Sequence, residues 1–524
     1  MTEQDDHKSD IAVADTNYEV GQDNIQPFGL DIHNPVFMIS AVGTVFFTAV
    51  AMLFSDIAAS ALGNARTFLE TTFDFVYMYG ANLMVLFCII LLVTPLGKVR
   101  LGGQNAKPEF GYFAWFGMLF AAGMGIGLMF FGVLEPVTHY LYPPMGAEGE
   151  TDRTLAMAAT IFHWGLHPWA VYATVALSLA FFSFNWGLPL TIRSAFFPFL
   201  GDRVWGWFGH IIDTLAVFAT LFGLATSLGY GAEQAAGGLA YLYGFPDGNV
   251  TLVTLILGIT AIALISVLRG IHGGVKILSE INLIMAGLLM LFVIIFGYTL
   301  DIFASIFTSA VGYVQYVLPL SNSFGREDTD FLHGWSVFYW AWWISWSPFV
   351  GMFIARVSYG RTIREFVTCV LLIPTAAAII WMNAMGGFAI DQYVKDGYTG
   401  VTDLVDTWQP ELSIYLMLEE LPLSGLTSLL AIILVMVFFI TSSDSGSLVI
   451  DTITSGGKTD APVVQRCFWV VFEGLMAIAL LVGGGLAALQ AAAIASGGPF
   501  TLILLGMMVA VGYGVNQERK RLAA

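Results

Sequence analysis

Apolar runs of about 20 residues recur from one end of this 524-residue chain to the other, and that repetition limits the fold more than any other feature. A run of that length, coiled as a helix, crosses the hydrocarbon of a bilayer, and its backbone is satisfied internally. Twelve spans are read, at approximately 33–57, 74–97, 108–141, 155–183, 206–243, 250–268, 277–300, 333–356, 367–389, 426–454, 464–484 and 487–515. Several exceed the length a crossing needs, so tilt, breaks or extensions are expected. The composition, 57% hydrophobic and 11% charged, excludes an ordinary soluble domain. The expected fold class is an all-α polytopic membrane protein.

Lys and Arg set the orientation. With the N-terminus in the cytoplasm, the outer side holds Arg66, Arg153, Arg326 and Lys395, and the other 16 of the 20 lie inside. Residues 1–32 are polar and acidic and are expected to form a disordered cytoplasmic tail without a cleavable signal. Cys88, Cys369 and Cys467 are too scattered for a disulfide framework or a metal site. A net charge of −18 argues against nucleic acid as a partner.

Two spans carry breakers. The third contains AAGMGIGLMFFGVLEP, Ala121 to Pro136. Alternating Gly123, Gly125 and Gly127 suit either an unwound segment that lets backbone approach a ligand or tight packing of small residues. The spacing and context exclude a dinucleotide fingerprint. Glu135 is assigned to the outer end of this span with a structural role. The eighth span contains FYWAWWISWSPF, Phe338 to Phe349. On a helix, Trp335, Phe338, Tyr339, Trp342, Trp343 and Trp346 fall within roughly 140° of one another. Pro348 is expected to interrupt that helix. Such a ring wall suits a cation without N–H groups, a quaternary ammonium above all; an interfacial Trp belt is the plainer alternative.

Spans three and eight cross in opposite directions, as an inverted repeat of five plus five helices requires, and interrupted segments at matching positions point to a midplane transport site. The organisation expected is therefore a tail (1–32), two leading helices (33–104), a first repeat (105–300), an outer amphipathic linker helix (301–330), a second repeat (331–515) and a short cytoplasmic tail (516–524).

Span four contains FHWGLHPWAVY, which puts Trp164, Trp169 and Tyr172 within roughly 140° of one another and gives Pro168 as a kink. His163 and His167 lack an evident third ligand, so packing or hydrogen-bonded roles are expected rather than metal binding. Span ten contains VFFITSSDSGS, Val437 to Ser447. Hydroxyls at membrane depth mark an ion or substrate path, and Thr441 and Ser442 are candidate ligands for a small cation such as Na⁺.

These four motifs resemble the betaine/choline/carnitine transporter family over nearly the whole chain. The resemblance implies a leucine-transporter-type (LeuT) fold, secondary transport of trimethylammonium compounds, and a homotrimer; the expected location is the cell inner membrane, with both termini cytoplasmic by the Lys and Arg split. It implies a substrate cage of Trp164, Trp169, Tyr172 and Trp343, with Trp342 and Trp346 along the pathway. Ala122 and Met124 would meet the substrate carboxylate at the unwound stretch, and Phe130 and Phe353 would be gates. One sodium site would use carbonyls of Ala121, Met124 and Phe438 with the hydroxyls of Thr441 and Ser442; a second would use Thr220 and Phe349. Leu224 stands where the family's second sodium site has another hydroxyl. Gly127 stands where choline-type members carry an aspartate, which favours a zwitterion. The final VNQERKRLAA replaces a long charged helix of osmosensing members, so transport is expected without that osmotic control.

The function expected is sodium-coupled symport of an onium zwitterion such as glycine betaine by alternating access, with Na⁺ as coupling ion and no organic cofactor. Dimethylsulfoniopropionate, choline or carnitine are alternative substrates. An amino-acid symporter of the same fold would need acceptors for an ammonium group, a channel would need a continuous polar pore, and an enzyme would need a nucleophile–base pair that is not found.

Overall fold

The computed structural model describes residues 14–123, 125–145, 151–246, 248–269 and 275–523, without the side chains of 120–123, 275 and 276. Among them ten helices are long and apolar enough to cross a membrane. The described strands are a two-residue pair, Asn24–Ile25 with Ile32–His33. The chain is thus an all-α polytopic membrane protein.

Burial sorts the helices. The most apolar window of Arg153–Phe184 is 94% buried, whereas those of Ile277–Phe296 and Thr299–Ser321 are 22% buried. The first therefore stands at the centre and the other two at the periphery. The centre is built by Phe338–Val357 packed on Leu166–Phe184, and by Trp207–Tyr243 packed on Ser424–Thr454 and Val463–Ala523. Small residues permit the closest approaches. A Cβ on Gly497 would meet the carbonyl oxygen of Ala341 at 2.8 Å and its Cα at 3.0 Å, so the last helix touches the tryptophan helix backbone to backbone.

Several expectations change. The third span is broken: Tyr112–Gly123 ends, Gly125 is extended (φ −162°, ψ −138°), and Ile126–Phe131 and Leu134–Leu141 follow. The eighth is not broken at Pro348. The helix Phe338–Val357 runs through it, because Ser347 Oγ donates to the Ile344 carbonyl at 2.7 Å, the acceptor that a proline N–H leaves without its bond. Its irregularity lies earlier, in a wide π-turn over Leu332–Val337. Span four kinks at Gly165 (φ −98°, ψ −127°) rather than Pro168. Pro168 sits in the first turn of Leu166–Phe184, where a missing N–H takes nothing from the helix.

Spans eleven and twelve form Val463–Ala523, divided where Gly485 adopts φ +60°, a conformation that favours glycine. Residues 516–523, read as a tail, continue that helix. The linker read at 301–330 holds the helix Thr299–Ser321, and Ser55–Thr72 adds a helix between the first two spans. From Ala14 onward the N-terminal stretch is packed instead of loose. Tyr18 stacks on Trp205 at 4.1 Å, and Asp31 pairs with Lys458 at 2.5 Å.

Candidate functional site

The spacing along Phe338–Val357 produces the ring wall. Phe338 and Trp342 stack at 5.5 Å and 19°, Tyr339 and Trp343 at 5.7 Å and 20°, and Trp342 and Trp343 at 4.9 Å and 11°. The Gly165 kink brings a second set of rings against it. Trp164, the last residue before the kink, meets Trp343 edge to face at 4.9 Å and 72°. Beyond the kink, Tyr172 meets Trp343 at 6.3 Å and Trp169 meets Tyr172 at 5.4 Å. Trp164, Trp169, Tyr172 and Trp343 are therefore one connected, buried set. The rings touch one another, so seating a head group among them requires Trp164 and Trp343 to part.

The polar edges of these rings are engaged by protein. The indole N–H of Trp164 donates to Glu135 Oε2 (2.7 Å), that of Trp343 to the His163 carbonyl (3.0 Å), that of Trp342 to Ser227 Oγ (3.1 Å) and that of Trp346 to the Gly223 carbonyl (2.9 Å). What these four offer a guest is their π-faces. The Tyr172 hydroxyl is buried with no hydrogen-bond partner among the described residues. Trp346 points toward Gly223 and Phe349, its ring 5.3 Å from the Phe349 ring, and so stands apart from Trp164 and Tyr172.

Phe130, read as a gate, is buried against Tyr230 (4.6 Å) and Phe131 (4.9 Å), and Tyr230 in turn packs on Trp342 (5.3 Å). Phe353 is half-buried near the other end of the tryptophan helix. Gly127 is tucked against the cage: a Cβ there would meet Trp164 Cη2 at 2.8 Å and Trp342 Cη2 at 2.9 Å. Any side chain at 127 must displace two indoles whose N–H groups are already anchored.

At the first sodium position expected from the sequence, Thr441 Oγ1 lies 3.0 Å from the Val437 carbonyl and 3.2 Å from that of Phe438, to both of which it donates. The Phe438 ring passes 3.7 Å from the site of a Cβ on Gly125, so the hydroxyl helix reaches the broken stretch of span three. Ser442 is buried. Met124 lies outside the described residues; Ala121 and Ala122 belong to the helix that leads to it, their side chains outside the description. At the second position Thr220 donates to its own helix, to the Ala216 carbonyl at 2.8 Å. Leu224 fills the neighbouring space: a Cβ on Gly446 would meet its Cδ1 at 2.3 Å. Methyl groups occupy the place a further hydroxyl ligand would need.

Glu135 was undervalued by its position in the chain. It is fully buried, not a peripheral cap. Its Oε2 accepts from Trp164 Nε1 (2.7 Å) and the Tyr339 hydroxyl (2.6 Å), and its Oε1 faces His163 Nδ1 (2.7 Å). His163 and His167 diverge: His167 Nε2 goes to Asn82 Oδ1 at 3.0 Å. Donor atoms of Glu135, His139 and His163 do lie within 4.8 Å of one another, a grouping missed because its other two members lie on span three, but the Glu135 oxygens are already taken by the donors above. The signal in the sequence was a lone carboxylate inside an apolar span, which marks function by default. Trp335 links the wall to a cavity of about 400 Å³ that is also lined by Arg66, Asp330, His333, Trp408 and Gln490.

Comparison with known proteins agrees over nearly the full length. The family model described as BCCT, betaine/carnitine/choline family transporter, matches residues 35–520. The chain is 53% identical to a glycine betaine/proline/choline transporter of Vibrio parahaemolyticus, over 97% of this chain and 95% of that one. It is 52% identical to glycine betaine transporter 1 of the same organism, over 97% and 98%. To the glycine betaine transporter OpuD of Bacillus subtilis it is 42% identical, over 93% and 96%. With apolar helices that cross repeatedly and a match that leaves little of the chain uncovered, this protein belongs to the betaine/carnitine/choline transporter family and is a multi-pass membrane transporter, not an enzyme.

Proposed function

We propose that this protein is a sodium-coupled symporter that imports an onium zwitterion, glycine betaine first, by alternating access. The observation that carries the reading is the connected set Trp164–Trp343–Tyr172–Trp169, in which the indole N–H groups of Trp164 and Trp343 are bonded to protein and their faces remain for the guest. A trimethylammonium head has no N–H to satisfy and binds to ring faces at up to ~2 kcal/mol per desolvated contact. The relatives named for glycine betaine support the same solute class. Gly127 favours a zwitterion over choline, because a zwitterion brings its own carboxylate whereas choline has a bare positive charge that an aspartate at this position would balance.

Na⁺ binds between the broken stretch of span three and Phe438, Thr441 and Ser442. It fixes the break, beside Ala122, so that the free N–H groups that open the following helix at Ile126 meet the substrate carboxylate. Leu224, packed against Gly446, leaves the second position without its further hydroxyl, which supports a proposed coupling of one sodium per substrate. The architecture is twelve crossings with a LeuT-type inverted repeat, and the family resemblance implies a homotrimer in the inner membrane with both termini cytoplasmic. A potential of 100 mV supplies about 2.3 kcal/mol per charge and a tenfold sodium gradient about 1.4 kcal/mol, enough for accumulation of roughly several hundredfold.

Proteoliposomes test this. Uptake of glycine betaine is expected to saturate, to require an inward sodium gradient with a Hill coefficient near one, and to rise with an inside-negative potential. Dimethylsulfoniopropionate is expected to compete and glycine to fail. Uptake that ignores sodium, or that glycine blocks as well as betaine does, would overturn the reading.

A further inference from the structure

One carboxylate ties the two walls of the cage together. Glu135 accepts from Trp164 Nε1 and from the hydroxyl of Tyr339, whose ring stacks on Trp343. Its other oxygen pairs with Nδ1 of His163 at 2.7 Å, and Nε2 of that ring pairs with the Ser336 hydroxyl at 2.9 Å. The His163 carbonyl holds the Trp343 N–H. Glu135 therefore grips Trp164 directly and Trp343 through His163 and Tyr339, from a fully buried position. His139 Nε2 also lies 3.5 Å from Oε1.

Satisfying an indole and a phenol needs only a neutral acceptor, so the negative charge is not explained by hydrogen bonding alone. Two effects follow from it. A carboxylate on the N–H edge of an indole deepens the negative potential of that ring's face, which is what attracts a cation. In a site sealed from water the charge itself also acts across a ring's width with little screening.

We propose that Glu135 is a positioning residue that makes the cage selective for charge: it orients Trp164 and Trp343 and supplies the negative potential by which a permanently cationic head group is preferred over a neutral one of the same shape. The proposal rests on the ring set being the seat of the head group.

The test compares glycine betaine with 3,3-dimethylbutanoate, which replaces the ammonium nitrogen by carbon and keeps shape and carboxylate. Binding of both is measured by isothermal titration on the purified full chain, with thermal unfolding as a control. Glu135→Gln keeps the oxygen that accepts from Trp164 and Tyr339, turns its amide N–H to His163 Nδ1, which accepts in the other tautomer, and removes the charge. It is expected to weaken glycine betaine about tenfold and leave 3,3-dimethylbutanoate unchanged. A purely structural Glu135 would shift both ligands equally, and that result would overturn the proposal. If Glu135→Gln does not fold, Tyr339→Phe decides. It removes a donor from Oε2 and leaves the charge less compensated, so the preference for betaine is expected to rise; an unchanged or lower preference overturns it. Trp343→Leu separates the two readings. If Trp343→Leu binds betaine within twofold of the parent, the cage itself is wrong. If Trp343→Leu weakens betaine about thirtyfold while Glu135→Gln moves both ligands together, only the role of Glu135 fails.

Discussion

Replacement of Trp343 by leucine, with phenylalanine as its control, probes the cage most directly. Trp343 contacts Trp164 and Trp342 at 4.9 Å, Tyr339 at 5.7 Å and Tyr172 at 6.3 Å, and its N–H caps the His163 carbonyl. Leucine removes a π-face that contributes ~2 kcal/mol to a desolvated cation, which at 1.4 kcal/mol per decade is a loss of about thirtyfold in glycine betaine affinity. Phenylalanine keeps a face of weaker quadrupole and is expected to lose about three- to tenfold. Both variants leave the His163 carbonyl without its donor, at about 1 kcal/mol of stability, so a fall in unfolding temperature common to both measures that loss separately. Isothermal titration in sodium-containing detergent solution reads the affinities. Trp343→Leu binding within twofold of the parent would refute the reasoning, and so would Phe and Leu losing affinity equally, since the ring face would then not be the attractive element.

Thr441→Ala and Ser442→Ala are expected to raise the sodium concentration for half-maximal uptake by tenfold or more, while betaine affinity recovers at saturating sodium; sodium-titrated uptake reads both. Gly497→Ala is expected to destabilise the fold by about 1–3 kcal/mol through overpacking, because its new Cβ meets Ala341 backbone at 2.8–3.0 Å; thermal unfolding checks this, and an unchanged midpoint would count against the helix contact. The N-terminal strap is expected to loosen in acid. Burial of Asp31 opposes its ionisation, but its hydrogen bonds to Lys458 and Asn24 and the Lys458 charge prevail and hold its carboxyl below the usual 3.8. A depressed carboxyl stabilises the folded contact above that value, and the contribution is lost as pH falls through the folded pKa. Amide exchange over residues 14–33, corrected for intrinsic rates, is expected to quicken below about pH 4, and Asp31→Asn is expected to reproduce this at neutral pH.

Features that depend on neighbours in the chain were legible. Run length gave the helices, the three- and four-residue spacing of rings gave the wall, and alternating glycines offered the break at Gly125 as one of two readings beside small-residue packing. What depended on distant partners was hidden. Trp164 and Tyr339 reach Glu135 across 29 and 204 residues, so a carboxylate that looks like an end-cap becomes the fastening of the site. Pro348 misled for a local reason: the sequence shows the missing N–H but not that Ser347 turns its hydroxyl back to the Ile344 carbonyl. The N-terminal stretch misled through its charge, since acidic composition reads as solvated until Lys458, Trp186 and Trp205 appear beside it.

The rival transporter of ordinary amino acids can be weighed on the same bonds. A primary ammonium brings three N–H donors and loses their water on entering, at a cost of several kcal/mol unless acceptors replace it. Around the cage the carbonyl of His163 and the oxygens of Glu135 already receive an N–H or O–H from the rings or face His163 itself, as does the Gly223 carbonyl farther along at Trp346. Among the described residues the Tyr172 hydroxyl is the cage oxygen left without a partner, one acceptor against the three donors of an ammonium. The indoles therefore do two things at once: their edges occupy most of the acceptors an ammonium would need, and their faces welcome a cation that needs none. Methylation of the guest nitrogen should then increase affinity stepwise from glycine through dimethylglycine to glycine betaine. A flat series would mean that free acceptors exist where the structure shows them bonded.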